Sequence, residues 1–481
     1  MAAQMSQEEW LSAVDAAWLR MDRPTNLMMI CGMMMLDGHV ELERLKDVIR
    51  TRMLCLHRFH QRVADTGSRP RWELDPHFDL DWHVRRVALG EASLQELTSD
   101  LISTPLDPAR PMWQWHLVDG PGGSALIMRI HHCYGDGFAM LHVIEAITDL
   151  GERVTRPPPG DLDGADAGLS ALERVLGPVA STLGDVLRGA AALADAGAGL
   201  LRHPGNAWSS GTSAASLLYQ AGAIAAMTPD SPTRLKGDLG AMKRAAWSAP
   251  LPLAEVKGLA CAFGCSVNDV LVACVTAALR AYLLERGDVV DGKEVRALVP
   301  VNLRPPGPIS ELGNRFGLVF LDLPISIVDP LVRVHEVHRR MLALKQSQQA
   351  LVAFGILAGL GVAPDFLKER VVDALAANAS MVVTNVRGPG QPRWLAGRRI
   401  TRQVFWVPQS GGIGLGISIL SYAGEVSFAA VSDAQRIPDP ATLMERVATE
   451  FEALVLTALM SHWPGEPTRR RRPASRAPGR R

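Results

Sequence analysis

The chain has 481 residues, 47% of them hydrophobic and 21% charged, the composition of a globular protein rather than a disordered or collagen-like one. Its length suits two or three domains. Fifty basic residues balance fifty acidic ones, which argues against a dedicated nucleic-acid binder. Glu8, Glu9, Asp15 and Asp22 precede the first apolar run, a pattern unlike that of a signal peptide. A helix is predicted over 15–21 and a buried strand over 27–36, where five of ten residues are methionine. Leu42, Leu45, Val48 and Ile49 fall at helical spacing and predict a helix over 40–55. Residues 78–87 alternate and predict a strand, and 93–101 a helix. An apolar strand over 124–130 then runs into His131-His132-Cys133-Tyr134-Gly135-Asp136-Gly137, beyond which Met140, Ile144 and Ile147 set a helical face.

Residues 154–232 change character. Three prolines (157–159) open an Ala/Gly/Leu-rich stretch with an apolar helical face over 172–187, and the chain turns Ser/Gly-rich after Pro204. We read 1–153 as one domain, 154–232 as a crossover linker and 233–465 as a second domain; whether the linker packs loosely or lies on lipid stays open. In the second domain, helices over 266–284, 331–346 and 441–459 alternate with strands over 295–301, 381–385 and 426–432, so both halves are α/β. The uncharged stretch 403–424 reads as two strands around a turn. The apolar run 350–363 falls short of the roughly 18 residues a membrane span needs, and no convincing spanning helix is expected. A basic tail over 466–481 closes the chain. Seven arginines and no acid lie in 469–481, leaving 43 bases against 50 acids before it. This tail reads as disordered. It is either a solubilising end or a contact for anionic lipid, at about 1 kcal/mol per basic residue.

Six cysteines form no disulfide framework, and the neighbours Cys261 and Cys265 lack the partners of a zinc pattern, so no metal site is expected. Reduced thiols fit a cytosolic protein. The histidine pair is the sharpest feature. Neighbouring side chains on a strand point to opposite faces, so His131 and His132 do not share one metal ion or one proton. One ring faces a cleft and the other packs inward. Asp136 can cap the following helix or fix the loop by an ion pair, with Arg62 and Arg304 as candidates. Gly135 and Gly137 permit a tight turn. The arrangement favours a single general-base imidazole, worth about 10²–10⁴ in rate, over a metal site; the bland alternative is two histidines beside a helix cap. No GxSxG nucleophile pattern occurs, and Cys133 points away from His132.

The run His131–Gly137 resembles the HHxxxDG signature of the CoA-dependent acyltransferase superfamily, which includes chloramphenicol acetyltransferase and peptide-synthetase condensation domains. Further segments resemble one branch, the bacterial wax ester synthase/diacylglycerol acyltransferase (WS/DGAT) family. Pro105-Leu106-Asp107, Pro111-Met112-Trp113 and Val118-Asp119-Gly120 are similar to its PLW block. Ser266-Val267-Asn268-Asp269-Val270 is similar to its ND block. Leu11–Asp15 with Pro24-Thr25-Asn26, Pro300–Pro305, Gly313-Asn314 and Thr384–Pro389 resemble other family segments, although Arg387 and Met112 depart from the usual residues.

The resemblance implies two chloramphenicol-acetyltransferase-like domains, each a mixed sheet flanked by helices, forming a pseudo-dimer around a central tunnel. It implies an O-acyltransferase that moves a long-chain acyl group from acyl-CoA to diacylglycerol or a fatty alcohol in a ternary complex. His132 takes the family's base role, supported by His131, with Asp136 and Gly137 shaping the loop. Asn268 is either an oxyanion donor or, with Asp269, part of a helix cap. Met33 and Met34 are candidates for an adaptable acyl lining, or are plain core; Asp269 is a further candidate for substrate binding. No cofactor is implied, acyl-CoA being a substrate. The implied partners are the two substrates and an anionic membrane or lipid-droplet surface, with no nucleic acid. The implied location is cytoplasmic, peripheral to the inner face of the membrane and to lipid inclusions. Two alternatives stand beside this: a same-fold acyltransferase or condensation-type enzyme with another acceptor, and a non-catalytic lipid-binding protein. The PLW and ND blocks speak against the former and the intact motif against the latter.

Overall fold

The computed structural model describes residues 9–64, 70–152, 227–303, 313–314, 316–345, 353, 377–409 and 411–461. Two large sheets carry the molecule. The first holds, in spatial order, Trp394–Leu395, Arg398–Trp406, Met29–Leu36, Gly123–His131, Trp113–Gly120 and Val84–Val87. Met29–Leu36 is central in it and buried on both faces, which is why its sequence is a continuous apolar run rather than an alternating one. Met28, Met33 and Met34 are nearly inaccessible, and each such side chain contributes about 1.5–3 kcal/mol by burial. Gly123 turns the hairpin between Trp113–Gly120 and Gly123–His131 with φ +134, and a Cβ there would collide with the Leu36 carbonyl.

Two strands of this first sheet come from the C-terminal half. Arg398–Trp406 pairs antiparallel with Met29–Leu36, placing Gln403 opposite Met34 and Phe405 opposite Gly32. An edge that would otherwise be open is thereby covered, and the two halves interlock. Two strands border the turn expected over 403–424, but the first begins earlier, at Arg398, and the two part company. Arg398–Trp406 joins the first sheet, and Leu415–Tyr422 joins the second.

The second sheet runs Phe316–Leu323, Val295–Asn302, Met381–Arg387, Leu415–Tyr422, Glu425–Asp433 and Lys243–Trp247, with Leu251–Pro252 pairing against Glu425–Asp433. The helix Val267–Glu285 lies against it, started by a Ser266–Asp269 capping box. It is the one helix among the described residues long and apolar enough to cross a membrane. Here it is core: Val270, Cys274, Leu279 and Leu283 are buried together with Val337 of Pro330–Lys345 and Val447 of Pro440–Met460.

Two predicted elements differ. The helix expected over 40–55 is α-helical over Leu42–Val48 and widens to a π turn over Ile49–Met53. The strand expected over 78–87 begins with a one-turn helix, Leu80–His83, and only Val84–Val87 is extended. The causes are local and tertiary. Asp79 accepts from the Asp81 amide, and the His83 ring stacks on Trp113 at 4.3 Å while its Nδ1 lies 2.7 Å from the Trp113 carbonyl. Most of the expected linker, the run 350–363 apart from Ala353, and the basic tail lie outside the described residues.

Candidate active site

The Gly123–His131 strand stops at His131, because the chain tightens into a 3-10 turn over His132–Tyr134. Asp136 then caps Gly137–Ile147, its Oδ1 accepting from the amides of Phe138 and Ala139 at 3.1 and 3.0 Å. Of the two roles the sequence left open for Asp136, capping is therefore formed. Arg62 is engaged with Glu73 and the Ala109 carbonyl, and Arg304 lies outside the described residues. Backbone bonds hold the turn from the N-terminal side: the His131 amide donates to Met112 O and the His132 amide to Met28 O, at 2.9 and 2.8 Å. The PLW-like block has a clear part in this. Trp113 is fully buried, its Nε1 donating to Phe59 O, and the Met112 amide donates to the Tyr134 hydroxyl.

The C-terminal half grips the same turn. Gly135 bridges Gly313, and a Cβ on Gly135 would lie 2.9 Å from Ala139 Cβ and 3.3 Å from the Gly313 nitrogen, so the approach needs glycine. The Asn314 amide donates to the His132 carbonyl at 2.8 Å and to Asp15 Oδ1 at 2.7 Å. Ser12 Oγ donates to Asp15 Oδ2. The His132 ring stacks on Trp18, centroids 4.1 Å apart, with Phe316 at 5.7 Å.

The two histidines have different fates, as their opposed directions require. His131 Nδ1 accepts from the Cys133 amide at 3.2 Å, which assigns its proton to Nε2, on the side of Asp22. Its lone pair is thus in use. His132 faces a cavity of about 210 Å³, and its Nδ1 has no hydrogen-bond partner among the described residues. Burial pushes the His132 pKa down to about 4, against the opposing charge of Asp136; burial, with His132 adding to it, pushes His131 down to about 3. Both rings are neutral at pH 7. Burial also holds the Cys133 thiol well above its ordinary range, so it is no nucleophile at neutral pH.

The cavity lies between the halves. Trp18, His132 and Asp136 face it from one side, and Leu298, Phe316 and Asn385 from the other. Asn268 does not border it. Its Oδ1 accepts from the Asn385 amide at 2.8 Å, so it holds a residue that does. Asp269 is 1% exposed and does not border it either; Oδ2 accepts from the Ser266 amide and lies 2.6 Å from His338 Nδ1. Met33 and Met34 both border a second, smaller cavity. Strand alternation turns them apart, Met33 packing among Ile127, Val404 and Trp406 and Met34 on the other sheet face. Trp18, Asn314 and Asn385 carry roles that sequence reasoning assigned to no one. The signal lay in the family-like segments Gly313-Asn314 and Thr384-Asn385.

Residues 11–271 match the wax ester synthase/diacylglycerol acyltransferase catalytic domain. The chain belongs to the WS/DGAT family. Residues 312–455 match the family's C-terminal domain. A probable diacylglycerol O-acyltransferase of Mycobacterium tuberculosis is 27% identical over 469 residues, covering 92% of this chain and 95% of that protein. Among solved structures, a wax ester synthase/diacylglycerol acyltransferase from Marinobacter aquaeolei shares the fold with a TM-score of 0.66 at 21% identity, over 94% of this chain and all of that one. The first condensation domain of the calcium-dependent antibiotic synthetase follows at 0.59 and 17%, covering 93% and 96%. The expected architecture of two acetyltransferase-like halves is therefore the one present, and the protein is a WS/DGAT-family acyltransferase.

The buried imidazoles set a pH dependence of stability. Burial also lowers His83 to about 4 and His116 to about 3. All four folded-state values lie below the ordinary 6.5. Below that pH the unfolded chain takes up protons that the folded chain refuses, so each histidine makes stability fall on acidification between its two values. Asp15 and Asp22, raised by burial, act in the opposite sense, two groups against four. The urea midpoint is expected to drop markedly between pH 7 and pH 5; equal midpoints would show that these rings are hydrated.

Proposed function

We propose that this enzyme transfers a long-chain acyl group from acyl-CoA to the hydroxyl of a lipid, diacylglycerol or a fatty alcohol, with His132 as general base. What carries the reading is a neutral, buried imidazole at the wall of an apolar cavity between the two halves. An alcohol is a weak nucleophile at neutral pH. In the ternary complex its oxygen attacks the thioester carbonyl carbon while His132 takes the hydroxyl proton. The carbonyl becomes a tetrahedral oxyanion, for which the Asn385 amide, held by Asn268, is one side-chain donor among those bordering the cavity, with Asn302 and Thr384. Collapse re-forms the carbonyl and breaks the C–S bond. The imidazolium returns the proton to the departing CoA thiolate, leaving ester, free thiol and neutral His132.

The apolar lining suits hydrocarbon on both substrates, and the mycobacterial relative's description as a diacylglycerol O-acyltransferase supports that acceptor. The reading extends to a cytoplasmic enzyme held peripherally at an anionic lipid surface. Leu459 and Met460 are exposed at the end of Pro440–Met460, and the seven arginines follow in the sequence. The direct test is thiol release from palmitoyl-CoA with 1,2-diolein or hexadecanol. Release dependent on an acceptor is expected, and no release with either acceptor would remove the reading.

A further inference from the structure

The second cavity, of about 80 Å³, adjoins the main one and shares Ile30, Gly137, Val386 and Phe405 with it. Register defines its floor. Gln403 lies opposite Met34 and Phe405 opposite Gly32, and Gly32 in turn opposite Met128. Cross-strand partners share a face, so Gln403 stands on the sheet face that meets Met140 and Ile144 of the helix after the motif. Its neighbours there are thioether and hydrocarbon. Gln403 is 3% exposed, and its Nε2 has no hydrogen-bond partner among the described residues. Buried amides are almost always satisfied, because leaving one unpaired forfeits its hydration without return. A core position wants Leu or Met here, and a plain hydrocarbon ligand would leave the amide as unsatisfied as before.

We propose that this cavity receives an oxygen-bearing stretch of the lipid substrate, with Gln403 Nε2 donating to a carbonyl or hydroxyl oxygen of the chain. The proposal rests on the transfer reading above and names its substrate class: a lipid carrying an acceptor oxygen distinct from those of the reacting hydroxyl and thioester. Two sources supply it, the ester carbonyl of a glycerolipid acceptor and a hydroxyl on the acyl chain of the donor. Gln403 is then a specificity-determining residue. Discrimination by a lost hydrogen bond in a built polar site exceeds discrimination by shape in a hydrocarbon pocket.

The test measures kcat/KM in two arms. One pairs palmitoyl-CoA with a 1,2-diacylglycerol or with the 1,2-dialkylglycerol of equal chain length, which lacks the carbonyls. The other pairs hexadecanol with hydroxystearoyl-CoA or stearoyl-CoA. Wild type is expected to favour the oxygen-bearing member about tenfold in one arm, the worth of a single hydrogen bond, and that arm identifies the source. In Gln403→Leu and Gln403→Met, both close to glutamine in size, the ratio falls toward one. A wild-type ratio of one in both arms, which a water held by Gln403 would produce, overturns the proposal. So does a preference that survives both substitutions. If no pair releases thiol, the transfer reading fails on its own account. Equilibrium binding of the same paired lipids to wild type and Gln403→Leu then decides the cavity's preference separately, equal affinities counting against it.

Discussion

His132→Ala is expected to lower acyl transfer by about 10²–10⁴, the usual worth of a positioned base, while the protein stays folded. The ring is the motif's imidazole on the cavity wall, where Asp136 and Gly137 also border it. It is neutral because burial pushes its pKa down to about 4, and it borders the cavity beside Trp18. The substitution also removes the stack on Trp18, at a cost of about 0.5–1.5 kcal/mol, which a melting curve separates from the kinetic loss. His131→Ala should behave differently. It strips the Cys133 amide of its acceptor, a structural loss of about 1–3 kcal/mol, but leaves the base in place. Comparable thiol-release rates for wild type and His132→Ala would sink the base assignment. A larger kinetic defect in His131→Ala than in His132→Ala would exchange the two roles.

The contrast between the two rings marks what a linear sequence shows. Opposite facing of adjacent histidines is expected from strand geometry and is kept although His132 already opens the 3-10 turn, and Asp136 stands at the start of a helix where a cap belongs, so the heart of the site is visible in seven residues. What closes around it is not. Asn314 reaches the motif from 182 residues away, and Asn385 meets Asn268 across 117. No local pattern announces a hydrogen bond of that span. The uncharged stretch 403–424 reads as two strands around a turn, yet both large sheets have apolar faces that would accept its first strand, and only the register of Arg398–Trp406 with Met29–Leu36 assigns it to the first sheet. At 78–87 alternation misleads, because an Asp79 cap and the stacking of His83 on Trp113 outweigh it. Gln403 is the converse case: a polar residue in a strand of mixed character carries no meaning until its neighbours are known.

Asn314→Ala is the second substitution with a large expected effect, because a single amide from the C-terminal half serves two acceptors in the N-terminal half. It donates to the carbonyl of His132, the proposed base, and to Asp15 Oδ1. Burial raises the Asp15 pKa, and the bonds from Ser12 and Asn314 oppose that rise. Deleting the amide leaves a buried carboxyl short of one donor, costing about 1–3 kcal/mol, and frees the His132 carbonyl that the second half of the molecule had anchored. The kinetic consequence falls on orientation, where a displacement of about 1 Å costs roughly 10² in rate. We therefore expect kcat to fall about a hundredfold with KM nearly unchanged, at a temperature where the variant is folded. A merely structural Asn314 would lower the melting temperature and leave kcat intact. A double-mutant cycle with Asp15→Ala separates the two acceptors, since residues sharing one network couple by about 0.5–3 kcal/mol in stability. If the stability losses add while the loss in kcat persists in Asn314→Ala alone, the bond to His132, rather than the one to Asp15, is what holds the base on target.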